Sequence, residues 1–172
     1  MPHRFRLTEE NRRLREELSQ EGHDYGMAVV DLNLPDAPYG EALDCMIEHN
    51  IPAIVFTATF DLNTRARILE RNVIDYVLKD NEFALDNLVA TVRRAISNRK
   101  TRVLVVDDVV SARQVLVDLL KAQQYLVVEA NSGLEALAAL EAYSDIELVV
   151  TDHHMPDMSG YELTRRIRHR FG

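Results

Sequence analysis

The chain has 172 residues, 47% of them hydrophobic and 28% charged, with 6 glycines, 5 prolines and a formal charge of −8, a profile that suits one globular domain or one and a half. The acidic balance argues against nucleic acid or an anionic membrane surface as the main partner, and suits divalent cations. No apolar run approaches the roughly 20 residues of a membrane span, and the amino terminus carries charge where a signal peptide needs an apolar core, so the cytoplasm is the expected setting. The single cysteine, Cys45, sits in an apolar helical stretch and is expected to be a packed thiol.

Residues 8–20 read as a polar helix with Thr8 as its N-cap and only Leu14 and Leu18 as later apolar anchors. Strands and helices then alternate: strand 27–31, helix 40–49, strand 52–57, helix 62–71, strand 74–78 and helix 83–98. In the last of these, Leu85, Leu88, Val89, Val92 and Ile96 recur at helical intervals, Asn81 is the expected cap, and Arg93 and Arg94 lie towards the end that favours positive charge. Asn98-Arg99-Lys100 lead into strand 102–107, and a helix with Val115, Leu116, Leu119 and Leu120 on one face follows. Strand 125–129, a helix opened by Asn131-Ser132, strand 147–151 and a helix from Ser159 complete the order. The continuously apolar runs Val103–Val106 and Ile54–Phe56 predict a parallel sheet covered by helices on both faces.

One segment occurs twice. Ala28-Val29-Val30-Asp31-Leu32-Asn33-Leu34-Pro35-Asp36 returns 121 positions later as Val149-Val150-Thr151-Asp152-His153-His154-Met155-Pro156-Asp157. Each copy delivers an aspartate to a strand end, and a Pro-Asp turn precedes Gly40 or Gly160 and a helix. Ligands of parallel α/β sheets gather at the carboxyl ends of the strands. Asp107 and Asp108, Asp31, Asp152, Thr57 and Lys79 all stand at such ends. Converging carboxylates repel unless a cation intervenes, and a hard Mg²⁺ takes two carboxylates, a backbone carbonyl and waters. The remaining coordination suits a phosphoryl group that a carboxylate attacks in line, with a lysine and a threonine hydroxyl on its equatorial oxygens. His153-His154 suggests a metal pair, but adjacent side chains diverge on an extended strand and no third nitrogen or sulfur ligand stands at useful spacing, so no transition-metal cluster is expected.

Val103-Leu104-Val105-Val106-Asp107-Asp108, Val149–Gly160, Ile54-Val55-Phe56-Thr57-Ala58 and Asp75-Tyr76-Val77-Leu78-Lys79 together resemble the response-regulator receiver domains of two-component signalling. The resemblance covers residues 23–172 and implies a flavodoxin-like, doubly wound parallel five-stranded sheet of order 2-1-3-4-5. It implies an aspartyl-phosphate site with Asp31 or Asp152 as acceptor, Thr57 and Lys79 as phosphoryl partners and Tyr76 as switch aromatic. Mg²⁺ would be held by Asp107, Asp108, the acceptor aspartate and the backbone carbonyl of His154 or Asn33. Asp80 stands where the family usually has proline after the lysine.

The order departs from the family's. After a charged helix in 1–22, residues 23–100 resemble the carboxyl half of one receiver and 101–172 the amino half of the next, the junction of two tandem receivers. Half a receiver leaves apolar sheet edges open, so a permuted composite receiver over 26–146, or a domain-swapped homodimer, is expected. Either is expected to take phosphoryl from a sensor histidine kinase or phosphotransfer protein and to self-phosphorylate and autodephosphorylate without being an enzyme otherwise. Such receivers are often linked to a diguanylate cyclase or another output domain. The alternative is a non-phosphorylated interaction or dimerisation module. An aspartate-nucleophile phosphatase is disfavoured, because Asn33 and His154 stand where that class needs a second acid.

Overall fold

A computed structural model describes residues 16–17, 25–35, 40–58, 65–66, 68, 71 and 73–171. The expected helices 8–20 and 62–71 lie outside the described residues except at Glu16, Glu17, Arg65, Ala66, Ile68 and Arg71. Among the described residues the elements are β1 (Ala28–Val30), α1 (Glu41–Glu48), β2 (Ala53–Thr57), β3 (Asp75–Leu78), α2 (Ala84–Asn98), β4 (Arg102–Val106), α3 (Val110–Ala122), β5 (Leu126–Ala130), α4 (Gly133–Ala142), β6 (Ile146–Thr151) and α5 (Gly160–Phe171). None of these helices is long and apolar enough to cross a membrane.

The strands form parallel α/β sheets, as their apolar runs require. In place of one five-stranded sheet there are two three-stranded sheets, β1-β2-β3 and β5-β4-β6. Each keeps part of the 2-1-3-4-5 order: β5-β4-β6 is its 2-1-3 portion and β1-β2-β3 its 3-4-5 portion. The reason for the difference is local connection. β4 and β6 are joined through α3, β5 and α4, and Val103–Val106 take Leu148–Thr151 as register partners, so β6 occupies the edge of β4 that a composite sheet would give to β1.

The chain divides into two compact units, residues 1–92 and 93–172. The boundary falls inside α2, not after residue 100, because the end of that helix is tied to the second unit. Asn98 Nδ2 donates to the Gln123 carbonyl at 2.8 Å, and Arg99 Nη2 to Gln124 Oε1 at 3.2 Å. Asn81, expected as the cap of this helix, lies in the turn before it, its Oδ1 accepting from the Phe83 N–H at 2.8 Å.

In unit 1, Val30, Leu43, Cys45, Val55 and Tyr76 are buried together in one cluster; Cys45 is fully enclosed, as its apolar neighbours predict. Unit 2 buries both faces of β4, the layering expected of a doubly wound sheet. Leu104 and Val106 face Ala136, Met155, Met158 and Leu163, while Val103 and Val105 face Val117 of α3 and Val150 of β6. α4 opens on a capping box: Ser132 Oγ accepts from the Glu135 N–H at 3.2 Å, and Glu135 reaches back to the Asn131 N–H at 2.7 Å.

Candidate functional site

In unit 1 the parallel register carries β1, β2 and β3 to a common carboxyl end, with Val30 opposite Val55 and Thr57 opposite Leu78. Three of the expected residues meet there. Lys79 Nζ lies 2.5 Å from Asp31 Oδ2, the Thr57 hydroxyl bonds the same carboxylate, and the Lys79 N–H bonds the Thr57 carbonyl at 2.8 Å. Thr57 is fully buried, and Lys79 also lies 4.9 Å from the centre of the Phe56 ring. Burial acts to raise the Asp31 pKa. Hydrogen bonds from Lys79, the Asn33 N–H and Thr57, with the lysine charge, outweigh it and hold the carboxyl below its ordinary value. Asp31 is therefore a carboxylate at neutral pH. Tyr76 is buried in the core beside this end.

In unit 2 the acidic pair follows β4 and Asp152 follows β6. The Asp152 N–H bonds the Val106 carbonyl at 2.8 Å, and Val106 and Thr151 are register partners, so Asp107 and Asp152 leave adjacent strand ends. Asp107 Oδ1 accepts from the Val109 N–H at 2.8 Å, at the start of α3, and Asp152 Oδ2 accepts from the His154 N–H at 3.0 Å. The Asp31 carboxylate likewise accepts from the N–H two residues on, that of Asn33, at 3.2 Å; the repeated sequence produces a repeated turn. His153 and His154 depart from expectation. They lie in the loop beyond β6, where strand alternation no longer separates neighbours, and their rings meet edge to face with centroids 4.5 Å apart.

Among the described residues no group of three or more His, Cys, Asp or Glu side chains is gathered to hold a metal ion. The donors at the β4–β6 end are nevertheless all hard oxygens: the carboxylates of Asp107, Asp108 and Asp152 and the His154 carbonyl. That set fits Mg²⁺, which needs only one or two carboxylates and keeps several waters. When bound, the ion would supply positive charge for phosphoryl oxygens.

Three features escaped sequence reasoning. Arg113 bonds the Asp107 carbonyl at 2.6 Å and pairs with Glu129 at 3.3 Å, bringing a cation to the acidic strand end. Its position one turn into α3 was the available signal. Gly160 lies so close beneath the loop that follows β6 that a Cβ there would come within 2.3 Å of the Asp152 carbonyl oxygen. Asp157, read only as a turn residue, caps the neighbouring helix: its carboxylate accepts from the Gly133 N–H at 3.2 Å and the Leu134 N–H at 2.8 Å.

The Asp157 cap carries a pH prediction. Burial acts to raise the Asp157 pKa, but the N–H groups of Leu134, Gly133 and Met158, and its own N–H, outweigh it and lower the pKa. A carboxyl lower in the folded than in the unfolded state stabilises fully above the unfolded value, about 3.9, and loses that contribution as pH falls through the folded value. Asp157→Ala is expected to cost about 1 kcal/mol at pH 7, and the difference from the parent to vanish in the most acidic part of a pH series of urea unfolding. An equal cost throughout that series would show that the carboxylate charge contributes nothing to the cap.

Two parallel α/β sheets, one with a buried hydroxyl, a lysine and an aspartate at its strand ends and the other with an acidic pair and the repeated aspartate, are features of receiver-type signalling modules. The comparisons agree. A family model described as the response regulator receiver domain matches residues 103–171. The sensor histidine kinase RcsC of Salmonella typhimurium is 40% identical over 89 residues, 52% of this chain and 9% of that protein. The two-component response regulator ORR3 of Oryza sativa subsp. indica is 32% identical over 75 residues, 44% of this chain and 57% of that protein. Two solved structures described as two-component system response regulator/GGDEF domain proteins align at TM-scores of 0.83 and 0.81 with 39% and 35% identity, across 92% and 96% of this chain and 65% and 75% of theirs. The chain thus spans only part of the length of each relative. It belongs to the response-regulator receiver family.

Proposed function

We propose that the chain is a phosphoacceptor module of a two-component phosphorelay that uses Mg²⁺ and signals through a conformational change. The observation that carries this reading is the contact of the Asp31 carboxylate with Lys79 and Thr57. An ionised aspartate held beside an ammonium and a hydroxyl is a nucleophile with its phosphoryl partners in place. In the transfer a carboxylate oxygen forms the new O–P bond while the donor's bond to phosphorus breaks, and the donor leaves with that electron pair, as a free carboxylate from a small acyl phosphate or as imidazole from a phosphohistidine. Lys79 and Thr57 would hold the transferred oxygens at the Asp31 end, and Asp107 and Asp108 a cation at the Asp152 end. Asp152, beside the acidic pair, is the second candidate acceptor. Tyr76, buried beside the Asp31 end, would relay the change. Self-phosphorylation and autodephosphorylation are the only chemistry assigned to it.

The relatives' names support a sensor histidine kinase as donor and a GGDEF-type output domain, such as a diguanylate cyclase, as a linked module; a phosphotransfer protein is the other donor class, and the cytoplasm the proposed setting. A non-phosphorylated interaction module is the second reading. It is favoured by the division of the expected residues between two three-stranded sheets.

Intact-mass spectrometry after incubation with Mg²⁺ and a small acyl phosphate tests the proposal, with Asp31→Asn and Asp152→Asn in parallel. One phosphoryl adduct is expected, removed by one of the two substitutions, which identifies the acceptor. A folded protein that takes up no phosphoryl group would establish the second reading.

A further inference from the structure

Arg113 occupies a helix position that disfavours its charge. Its N–H bonds the Val109 carbonyl at 3.0 Å at the start of α3, and the amino end of a helix repels a cation. No acidic residue stands in that first turn to offset the charge. The side chain is nevertheless largely covered, 14% exposed, and its partners lie off the helix. Nη1 donates to the Asp107 carbonyl at 2.6 Å, and Nε pairs with Glu129 Oε2 at 3.3 Å. Glu129 belongs to β5, as the register partner of Val105, and strand alternation puts it on the same face as Val127, which packs with Val103, Val105 and Val117 of α3. A carboxylate thus ends an apolar row, and the ion that answers it is Arg113.

The carbonyl that Arg113 bonds belongs to the peptide joining Asp107 to Asp108, and a peptide is planar from one Cα to the next. Fixing that oxygen fixes the plane from which both acidic side chains leave the strand end. Asp107 is also held elsewhere: its N–H bonds the Ala130 carbonyl at 3.2 Å, and its Oδ1 accepts from the Val109 N–H at 2.8 Å. It is only 7% exposed. By charge alone, a guanidinium this near would oppose a second cation, so geometry and field act in opposite directions. We propose that Arg113, seated against Glu129, is a positioning residue of the cation site, orienting the Asp107–Asp108 peptide so that both carboxylates serve one Mg²⁺. The inference rests on the reading of the acidic pair as the cation's ligands.

The test titrates Mg²⁺ alone into the full chain and into Arg113→Met and Arg113→Lys. Binding is read from the amide NMR shifts of Asp108, Asp152 and His154, and folding from urea unfolding. Methionine keeps an unbranched stem and loses the charge; lysine keeps the charge without the planar fork that spans two acceptors. Loss of a positive charge by itself tightens Mg²⁺ binding, whereas loss of a group that orients a metal ligand weakens it, typically by about 10–100-fold. Arg113→Met is therefore expected to bind about tenfold more weakly than the parent, and Arg113→Lys at least about threefold more weakly. Should methionine prevent folding, the lysine variant decides alone. Arg113→Met binding as tightly as the parent or more tightly, or parental affinity in Arg113→Lys, would overturn the proposal and leave the cation site standing. A parent that binds no Mg²⁺ would overturn it together with the cation reading. A parent that binds Mg²⁺, with both variants weakened, but takes up no phosphoryl group would leave the role of Arg113 standing without the phosphoacceptor reading.

Discussion

Gly160→Ala is expected to destabilise unit 2 by about 2–3 kcal/mol and to abolish phosphoryl uptake if Asp152 is the acceptor. The new Cβ would meet the Asp152 carbonyl oxygen at 2.3 Å, its carbon at 3.2 Å and Thr151 Cγ2 at 3.2 Å. Two of those atoms are backbone, so relief requires moving the loop that follows β6. The loop is pinned at this point, because the Gly160 N–H bonds the His153 carbonyl at 3.0 Å. Gly133→Ala makes an instructive comparison. Its Cβ would also come within 2.3 Å of a neighbour, but that neighbour is Cγ of the buried Met158 side chain, which can turn aside without moving backbone. A cost of about 1 kcal/mol is expected there. Hydrogen exchange of the β4 amides measures both, and equal costs would show that the loop yields as readily as a methionine.

Leu163→Ala should cost about 2–5 kcal/mol. Leu163 is fully buried in α5 and packs in the cluster of Leu104, Val106, Ala136, Met155 and Met158, so truncation leaves a cavity directly beneath the strand that ends in the acidic pair. Leu134→Ala on the adjoining helix removes the same atoms from a side chain that is 62% exposed and is expected to cost no more than about 0.5 kcal/mol. Urea unfolding of the two variants separates these outcomes. A cost below about 1 kcal/mol for Leu163→Ala would mean that α5 does not seal this face of the sheet.

The elements that sequence could reveal are those whose signal is local. Val103–Val106 and Ile54–Phe56 are strands because the runs are short, apolar and β-branched, Asn81 marks the turn before a helix, and Ser132 announces the helix it caps. Pairing is not local. Val29 and Val150 stand in strands of the same pattern, so periodicity alone gives β4 no reason to choose between them. The choice follows from chain connection and from three-dimensional contacts such as Leu163 against Leu104. The meeting of Asp31, Thr57 and Lys79 was legible because all three are strand-end residues and parallel strands align their ends. The Asp157 cap was not, since its partners lie 23 and 24 residues away, and neither was the crowding at Gly160, which needs only that the next element pass close by.

Two interchangeable strands also set a problem of timing. β1 is complete before β4 is synthesised, whereas β6 ends at Thr151, well after β4 ends at Val106. At about 5–20 residues per second, a ribosome takes roughly 2–9 s to cover that interval. For those seconds the edge of β4 that β6 will occupy lacks its final partner. The second sheet therefore closes last at β6, whose synthesis trails that of its partner strand by seconds.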